Sequence, residues 1–197
     1  MTRKCKVCRA VFEPKRGFET WCCPDHGFAL ATAKLEKAKA TKAVAERRET
    51  KAKLEKLKTR AEWARECQVV VNKVVRLRDM LAGRGCITCG AQPAQKVGGT
   101  MDAGHFRSVG SAPHLRFFTP QIALQCVTCN RYQGGRALDF RRALVERRGA
   151  AWVEALESRQ EVARFDIPYL QRLKAVFARL ARRLEKRLKD ASGSNFC

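Results

Sequence analysis

Helix-forming residues dominate a long stretch of the chain. Between Phe28 and Ala82 there is neither glycine nor proline, and most positions are Ala, Lys, Glu, Arg or Leu, which favour the α-helix. Large apolar side chains are sparse over 34–60, so this half is predicted to be a solvated basic helix. Over 61–82 they recur every three or four residues, which predicts an amphipathic helix packed against another part of the chain. The pattern fits one long helix or two.

A region rich in glycine and proline follows this helical stretch. Gly83 and Gly85 are expected to end the helix. Residues 86–135 combine Gly, Pro and short apolar runs, which predicts turns and small strands. Helical composition returns from Ala137. The chain is therefore expected to change from long helices to a small, turn-rich segment and back again.

The C-terminal part is predicted to be helical with a break at Gly149. A last helix is expected over 169–189, where apolar residues share one face and Lys and Arg crowd the other. The tail 190–197 is expected to fray, and its Cys197 to be an incidental thiol. These changes of composition divide the chain into four segments, 1–27, 28–82, 83–148 and 149–197.

The balance of charge is strongly basic, with 41 Lys and Arg against 19 Asp and Glu and a formal net charge of +22 at pH 7. Attraction to polyanions grows with each cation that reaches a phosphate, so nucleic acid is the expected partner and an acidic membrane surface the competing one. No stretch approaches the ~18 apolar residues of a transmembrane helix, and the first residues lack the apolar segment of a secretory signal. A cytoplasmic location without a membrane is expected.

Ten cysteines in a chain expected to stay in a reducing compartment favour metal ligation over disulfides. Cys86-x2-Cys89 and Cys126-x2-Cys129 supply four thiolates in two close pairs, the spacing of a tetrahedral zinc site. Buried thiols without metal are the alternative. Because thiolates would fill all four positions, this zinc is expected to be structural. Cys67, on an apolar helix face, is expected to belong to the core.

A second set of potential zinc ligands lies near the N-terminus. Cys5-x2-Cys8 is followed by the adjacent Cys22 and Cys23 and by His26. These residues predict a zinc site of three cysteines and one histidine, in which either Cys22 or Cys23 is the third thiolate, and the spacing leaves that choice open. A segment with free thiols is the alternative. With both sets occupied, two zinc ions per chain are expected.

Asp102 and His105 lie between the two central cysteine pairs, and Asn130 follows the last cysteine. A zinc ion that fixes this segment would bring the three side chains close together. Carboxylate and amide oxygens suit Mg2+, and a neutral imidazole suits deprotonation of water. Each residue also has a structural alternative: a packed His105, an Asp102 that only shapes a turn, and an Asn130 that caps a helix.

The motifs of this chain resemble those of known families. Cys86-x2-Cys89, Asp102/His105 and Cys126-x2-Cys129-Asn130 resemble the zinc-containing His-Asn-His (ββα-metal) endonucleases, including phage endonuclease VII. Four segments, Lys4–Cys8, Trp21–Gly27, Asp102–Phe106 and Ala112–Phe117, resemble the lambdoid phage NinG (Rap) recombination proteins over nearly the whole chain. The resemblance implies an α+β, mostly helical fold, with an N-terminal zinc knuckle and a small ββα-metal (HNH-like) nuclease core between long basic helices.

The same resemblance implies roles for individual residues. His105 would activate the attacking water, and Asp102 and Asn130 would hold Mg2+ or Mn2+ on the scissile phosphate. The middle Asn of the motif, which orients the His loop, corresponds to Gln121. Six arginines that surround this centre in sequence are expected to contact DNA phosphates: Arg107, Arg116, Arg131, Arg136, Arg141 and Arg142.

Two functions follow from these features. The first is a structure-selective endonuclease that cuts Holliday junctions and D-loops in phage recombination, in the bacterial cytoplasm and together with other recombination proteins. A two-fold junction needs two cuts, so a homodimer is expected, with the apolar helix over 61–82 as its surface. The second is a non-catalytic zinc protein that binds DNA and promotes recombination by annealing or by recruiting partners.

Overall fold

The computed structural model describes residues 1–93 and 100–193, so Cys197 and the end of the tail lie outside the described part. The chain divides into two units, and the boundary follows Lys58. Within the described residues there are five α-helices and two small antiparallel sheets. This composition agrees with the predicted α+β class and its high helix content.

The first unit joins a short hairpin to a long helix. Strands β1 (Arg3–Lys4) and β2 (Val11–Phe12) pair in an antiparallel sheet, and helix α1 spans Pro24–Leu57. Pro24 opens the helix, where its missing N–H costs nothing. No side chain of α1 is buried, which confirms the prediction of a solvated basic helix.

A helix cap separates α1 from helix α2 (Arg60–Leu81). The Thr59 hydroxyl accepts a hydrogen bond from the Glu62 amide at 3.3 Å, and the Glu62 carboxylate accepts one from the Thr59 amide at 2.7 Å. This reciprocal pair is a capping box, which starts a new helix. The choice between one helix and two is thereby settled in favour of two.

Helix α2 buries its apolar face within the second unit. Trp63, Cys67, Val71 and Val75 pack together with Leu170, which lies on helix α5 (Ile167–Gly193). The prediction that this stretch packs on another part of the chain is confirmed, and so is the core position of Cys67.

The covered face of α2 corrects one expectation. The helix over 61–82 was predicted to provide a dimer surface, but α5 and the central hairpin already cover most of its apolar side chains, and Val69 is the large one left mainly exposed among those described. A contact between two copies of the chain would therefore have to use another surface.

The central hairpin consists of strands β3 (Met101–His105) and β4 (Ile122–Cys126), paired antiparallel with His105 opposite Ile122 and Asp102 opposite Gln125. One face of the hairpin packs on α2, where Ala103 and Ile122 join the core. The other face contacts helices α3 (Ala137–Arg148) and α4 (Ala150–Glu157) through Ala123. A short π-helical turn, Thr128–Tyr132, follows β4.

A buried carboxylate from α2 binds the edge of β4 that does not pair with β3. Asp79 is fully buried and accepts a hydrogen bond from the Leu124 amide at 2.9 Å, while Arg78 donates to the Ile122 carbonyl at 2.9 Å. Burial raises the pKa of Asp79, but hydrogen bonds from Arg78, Leu124 and Arg84 outweigh it and hold the pKa below its usual value. This network fixes β4 to the end of α2.

The last helix begins and ends differently from the prediction. The Asp166 carboxylate accepts a hydrogen bond from the Tyr169 amide at 2.7 Å and caps α5 just before Ile167. The helix continues to Gly193, so residues 190–193, predicted to fray, are helical. Among the described helices, none combines the length and apolar character that a membrane crossing requires.

Candidate functional site

The four central thiols converge on one point. Cys86, Cys89, Cys126 and Cys129, which we call the four-cysteine set, place their sulfur atoms within 4.8 Å of one another. Cys86 and Cys89 lie in a tight turn after α2, Cys126 ends β4, and Cys129 belongs to the π-helical turn. Four thiolates at this separation form a tetrahedral donor set for zinc. The predicted ligands are thus brought together, and the set could bind a zinc ion.

Local hydrogen bonds prepare one of these thiols for metal binding. Burial raises the pKa of Cys86, but the Thr88 hydroxyl, 3.1 Å from its sulfur, and backbone amide groups outweigh that effect and lower the pKa to about 6. Zinc is ligated by the thiolate. Burial and the neighbouring thiols raise the pKa of Cys126 to about 12, so the four sulfurs do not ionise together on their own, and a bound cation would favour all four thiolates.

The N-terminal ligand set resolves the choice between two adjacent cysteines. Cys5, Cys8, Cys22 and His26 have their donor atoms within 4.8 Å of one another. The His26 Nδ1 atom lies 3.1 Å from the Cys22 sulfur and 3.7 Å from the Cys5 sulfur. Cys23 is not part of this cluster; it is the residue that precedes α1. The geometry assigns the third thiolate to Cys22, and the cluster could bind a second zinc ion.

Substitution of the two neighbours gives a direct test of this assignment. We expect Cys22→Ser to lower the zinc content from two ions per chain to one, because it removes a ligand. Cys23→Ser, the matched control one residue away, should keep both ions. Metal analysis of the purified proteins by mass spectrometry measures the difference. Equal zinc contents in the two variants would contradict the assignment.

The two zinc-ligand turns share one backbone pattern. The Cys5 amide donates to the Ala10 carbonyl and the Arg9 amide to the Cys5 carbonyl, at 2.8 and 3.0 Å. The turn after α2 repeats both hydrogen bonds with Cys86, Gly90 and Ala91 in the equivalent positions. Arg9 and Gly90 both have positive φ, 65° and 75°. Glycine adopts this conformation freely, whereas Arg9 does so at a steric cost.

Asp102 and Asn130 lie side by side near the four-cysteine set. The Asn130 Nδ2 atom donates to the Asp102 Oδ2 atom at 3.0 Å, and Arg131 donates to both carboxylate oxygens at 2.7 and 2.8 Å. The hydrogen bonds from Arg131 are the main cause of a lowered pKa at Asp102, and Asn130 adds to the effect. Asn130 lies inside the π-helical turn and does not cap it. The predicted proximity of these two side chains is therefore present.

His105 is held by a different set of partners. Its Nε2 atom lies 3.1 Å from the Arg116 carbonyl oxygen and 3.3 Å from the Gln68 side-chain nitrogen. Burial lowers the pKa of His105, although hydrogen bonds to the Arg116 and Ala103 carbonyls oppose it. Residues three apart in a strand point to opposite faces, so His105 and Asp102 face different sides of the hairpin. Among the described contacts none joins His105 to Asp102 or Asn130.

Gln121 fixes the loop that follows His105. Its side chain is fully buried, accepts a hydrogen bond from the Arg107 amide at 2.8 Å and donates to the Leu115 carbonyl at 3.0 Å. Its backbone carbonyl also accepts from the Phe106 amide. A residue that binds both ends of this loop holds the backbone around His105 in place. The position that the motif gives to an asparagine is therefore filled by a side chain with an equivalent amide.

Similarity to known proteins decides the family. The chain matches the family described as Bacteriophage Lambda NinG protein over residues 1–187. This chain belongs to the NinG family. The NinG protein of Escherichia phage 933W is 33% identical over 98% of this chain and 94% of its own length, and that of Enterobacteria phage H19B is 36% identical over 88% and 89%. The NinG protein of Escherichia phage lambda is 32% identical over 98% of this NinG chain. No solved structure matches it significantly.

The six arginines predicted to contact DNA form hydrogen bonds or ion pairs with other residues of this NinG chain. Arg131 binds Asp102, and Arg141 binds the Glu157 carboxylate at 2.9 and 3.0 Å. The other four also have partners: Arg107 with the Glu157 carbonyl, Arg116 with Gln68, Arg136 with Asp139, and Arg142 with Asp139. Their positive charge is partly offset by these groups. Contact with DNA stays a prediction for them.

Proposed function

We propose that this NinG protein is a Mg2+- or Mn2+-dependent endonuclease that cuts branched DNA, such as Holliday junctions and D-loops, during phage recombination. The observation that carries the proposal is the Asp102–Asn130 hydrogen bond beside the four-cysteine set, next to a strand that ends with the half-buried His105. The net charge of +22 supports a polyanionic substrate. Within residues 1–93 and 100–193 no base-reading element is evident, so selection of branched DNA would depend on shape and flexibility.

The oxygen atoms of the Asp102–Asn130 pair fit a hard divalent cation. Asn130 directs its nitrogen to Asp102, which leaves its amide oxygen for another partner. Arg131 covers the carboxylate through two hydrogen bonds, but its side chain is 63% exposed and is within reach of a DNA phosphate that would compete with Asp102. A bound Mg2+ would stabilise the charge that develops on the scissile phosphate. Asp102 and Asn130 would hold the ion, and Arg131 would bind the substrate.

His105 has the protonation state that a general base needs. Burial lowers its pKa, so the imidazole is neutral at neutral pH and able to accept a proton from water. The Arg116 carbonyl oxygen fixes the ring in the tautomer in which Nε2 carries the proton, and Gln121 fixes the loop behind it. Positioning of this kind is a large part of what an active site contributes to rate.

A non-catalytic role is the second candidate, and two observations favour it. Arg131 occupies both oxygens of Asp102, and the alternation of the strand turns His105 away from Asp102. A zinc-stabilised protein that binds branched DNA and recruits other recombination proteins needs neither group. A homodimer would serve both candidates, since a four-way junction presents two equivalent sites.

Cleavage of a synthetic four-way junction separates the two candidates. The full-length protein is incubated with labelled junction or with linear duplex of the same sequence, in Mg2+, in Mn2+ and in metal-depleted buffer. A chelator is avoided because it would also remove zinc. We expect the junction to be cut in either metal, and neither DNA to be cut without it. Tight binding to the junction with no cleavage in Mg2+ or Mn2+ would show that the non-catalytic, DNA-binding candidate is correct.

A further inference from the structure

Four arginines surround a cavity that the candidate active site does not use. The cavity has a volume of about 260 Å³ and lies beside the edge of β4 that does not pair with β3. Its lining combines the ends of α2 and α3 with the start of β4: Arg78, Arg84, Arg147, Arg148, Pro120, Ile122, Ala123 and Leu144. None of these arginines was predicted to bind DNA. We call this group of four arginines and its cavity the arginine pocket.

The arginine pocket carries more positive charge than the protein neutralises. Asp79 is the carboxylate that pairs with Arg78 and Arg84, at 2.9 and 3.1 Å. Arg147 and Arg148 make no ion pair with a carboxylate anywhere in the described part of the chain. Burial is the main reason for a lowered pKa at Arg147; the charges of Asp79 and Glu146 raise this pKa, and those of Arg84 and Arg78 lower it. Four positive charges thus face one ion-paired carboxylate, Asp79, and the nearby charge of Glu146.

Helix ends account for only part of this excess. Arg78 lies in the last turn of α2, and Arg147 and Arg148 lie in the last turn of α3. A helix C-terminus carries about half a negative charge, so two ends offset about one positive charge. Even with Glu146 counted, roughly one positive charge therefore has no counterpart in the protein. A bound anion would supply the missing negative charge.

The size and chemistry of the cavity favour a phosphate group. Pockets for drug-sized ligands are typically about 300–1,000 Å³, so a cavity of about 260 Å³ suits a small group better than a whole nucleotide. Guanidinium groups bind phosphate oxygens through paired N–H donors. Arg148 also lies over the Trp152 ring at 5.6 Å, which holds its side chain in place.

The position of the arginine pocket suits a DNA strand that also reaches the hairpin. Ile122 lines the cavity and is the cross-strand partner of His105. The His105 ring contacts Gln68, which lies ten residues before Arg78, so the ring and the cavity are about 15 Å apart along α2. A DNA strand that passes His105 would reach the cavity within a few nucleotides.

We propose that the arginine pocket binds a backbone phosphate of DNA, separate from the phosphate that is cut. The proposal rests on DNA as the partner, which is part of the proposed function, but not on cleavage. Arg147 and Arg148 are the residues to change, because Arg78 and Arg84 also bind Asp79 and support the fold. The matched control is the pair Arg47 and Arg48, which is likewise adjacent, helical and exposed, on α1.

Binding to a fluorescent four-way junction is measured against salt concentration without divalent cations, for wild type and for two double variants. Arg147→Ala/Arg148→Ala should weaken binding by about tenfold, since a hydrogen-bonded charge contact is lost. It should also reduce the slope of log K against log salt by about 0.9, the value for one phosphate. Arg47→Ala/Arg48→Ala removes the same charge and should have a smaller effect on both quantities. Equal effects in the two variants would show that only net charge matters and would overturn the proposal.

A thermal-shift experiment with inorganic phosphate distinguishes DNA from a small phosphate ligand. Phosphate should raise the Tm of the wild type and have less effect on Arg147→Ala/Arg148→Ala. Loss of that effect with unchanged affinity for DNA would assign the pocket to a small ligand and overturn the proposal.

Arg147→Lys/Arg148→Lys, which keeps the charge, should recover part of the DNA affinity. If the wild type never cuts a junction but the alanine variant still binds it more weakly, the nuclease proposal fails and the arginine pocket stands.

Discussion

Cys129→Ser should leave the second unit without its zinc ion and largely unfolded at the temperature where the wild type is folded. A structural zinc site contributes about 10–16 kcal/mol of apparent binding free energy, as much as the whole net stability of a typical domain. The four-cysteine set joins the turn after α2, the end of β4 and the π-helical turn, and the hairpin beside it has only two strands. A two-stranded hairpin is marginal without such support. Circular dichroism melting and metal analysis measure both effects.

Cys67→Ser is the matched control for this substitution. Cys67 is as buried as Cys129, but it lies in the core, and its sulfur donates to the Leu170 carbonyl at 3.0 Å, a hydrogen bond that a serine hydroxyl is able to keep. We expect this variant to retain two zinc ions and a cooperative transition at a moderately lower Tm. If Cys129→Ser binds as much zinc as Cys67→Ser and melts at the same temperature, the four-cysteine set does not hold a structural metal.

Spacing in the sequence was sufficient to predict the ligand sets, because a metal constrains its ligands to short, fixed separations. Cys86-x2-Cys89 and Cys126-x2-Cys129 are local patterns of this kind, and the structure brings them together. The choice between Cys22 and Cys23 was not available from spacing. It depends on where α1 begins: Cys23 immediately precedes Pro24, and His26 in the first turn lies against Cys22.

Two further features of the fold have a signal in the sequence. Thr59 and Glu62 have the spacing of a capping box, which marks the start of α2. Asp79 follows Val71 and Val75 at intervals of four, so a carboxylate occupies the apolar face of the helix. A charge in that position must be paired when it is buried. Its partners, such as the Leu124 amide, are distant in sequence and have no local pattern.

The strand period also explains why the candidate catalytic residues separate. Asp102 and His105 were expected to converge because both lie between the zinc-ligand pairs. Both residues lie in strand β3, three positions apart, and side chains separated by an odd number of positions in a strand point to opposite faces. Asp102 and Asn130 meet because the π-helical turn after β4 brings residue 130 back beside the strand.

His105→Ala should abolish junction cleavage and leave junction binding unchanged. General acid–base catalysis contributes about 10²–10⁴-fold to rate, and loss of the base should cost a factor in this range. The substitution removes no positive charge at neutral pH, because burial holds the pKa of His105 below its ordinary value of 6.5 and the ring is neutral. Cleavage by the wild type should therefore be lost only as the pH falls through that lowered pKa, at which point the ring takes up a proton. Single-turnover cleavage rates across this pH range measure both effects.

His114→Ala is the control for the loss of an imidazole from the same region. The His114 Nε2 atom is buried without a hydrogen-bond partner among the described residues, so the substitution breaks no hydrogen bond there. We expect this variant to cut at the wild-type rate with the same pH profile. A His105→Ala variant that also cuts at the wild-type rate, while it binds the junction and keeps two zinc ions, would remove His105 from the chemistry. The buried ring between Arg116 and Gln68 would then be a packing element of the hairpin, and the non-catalytic candidate would be preferred.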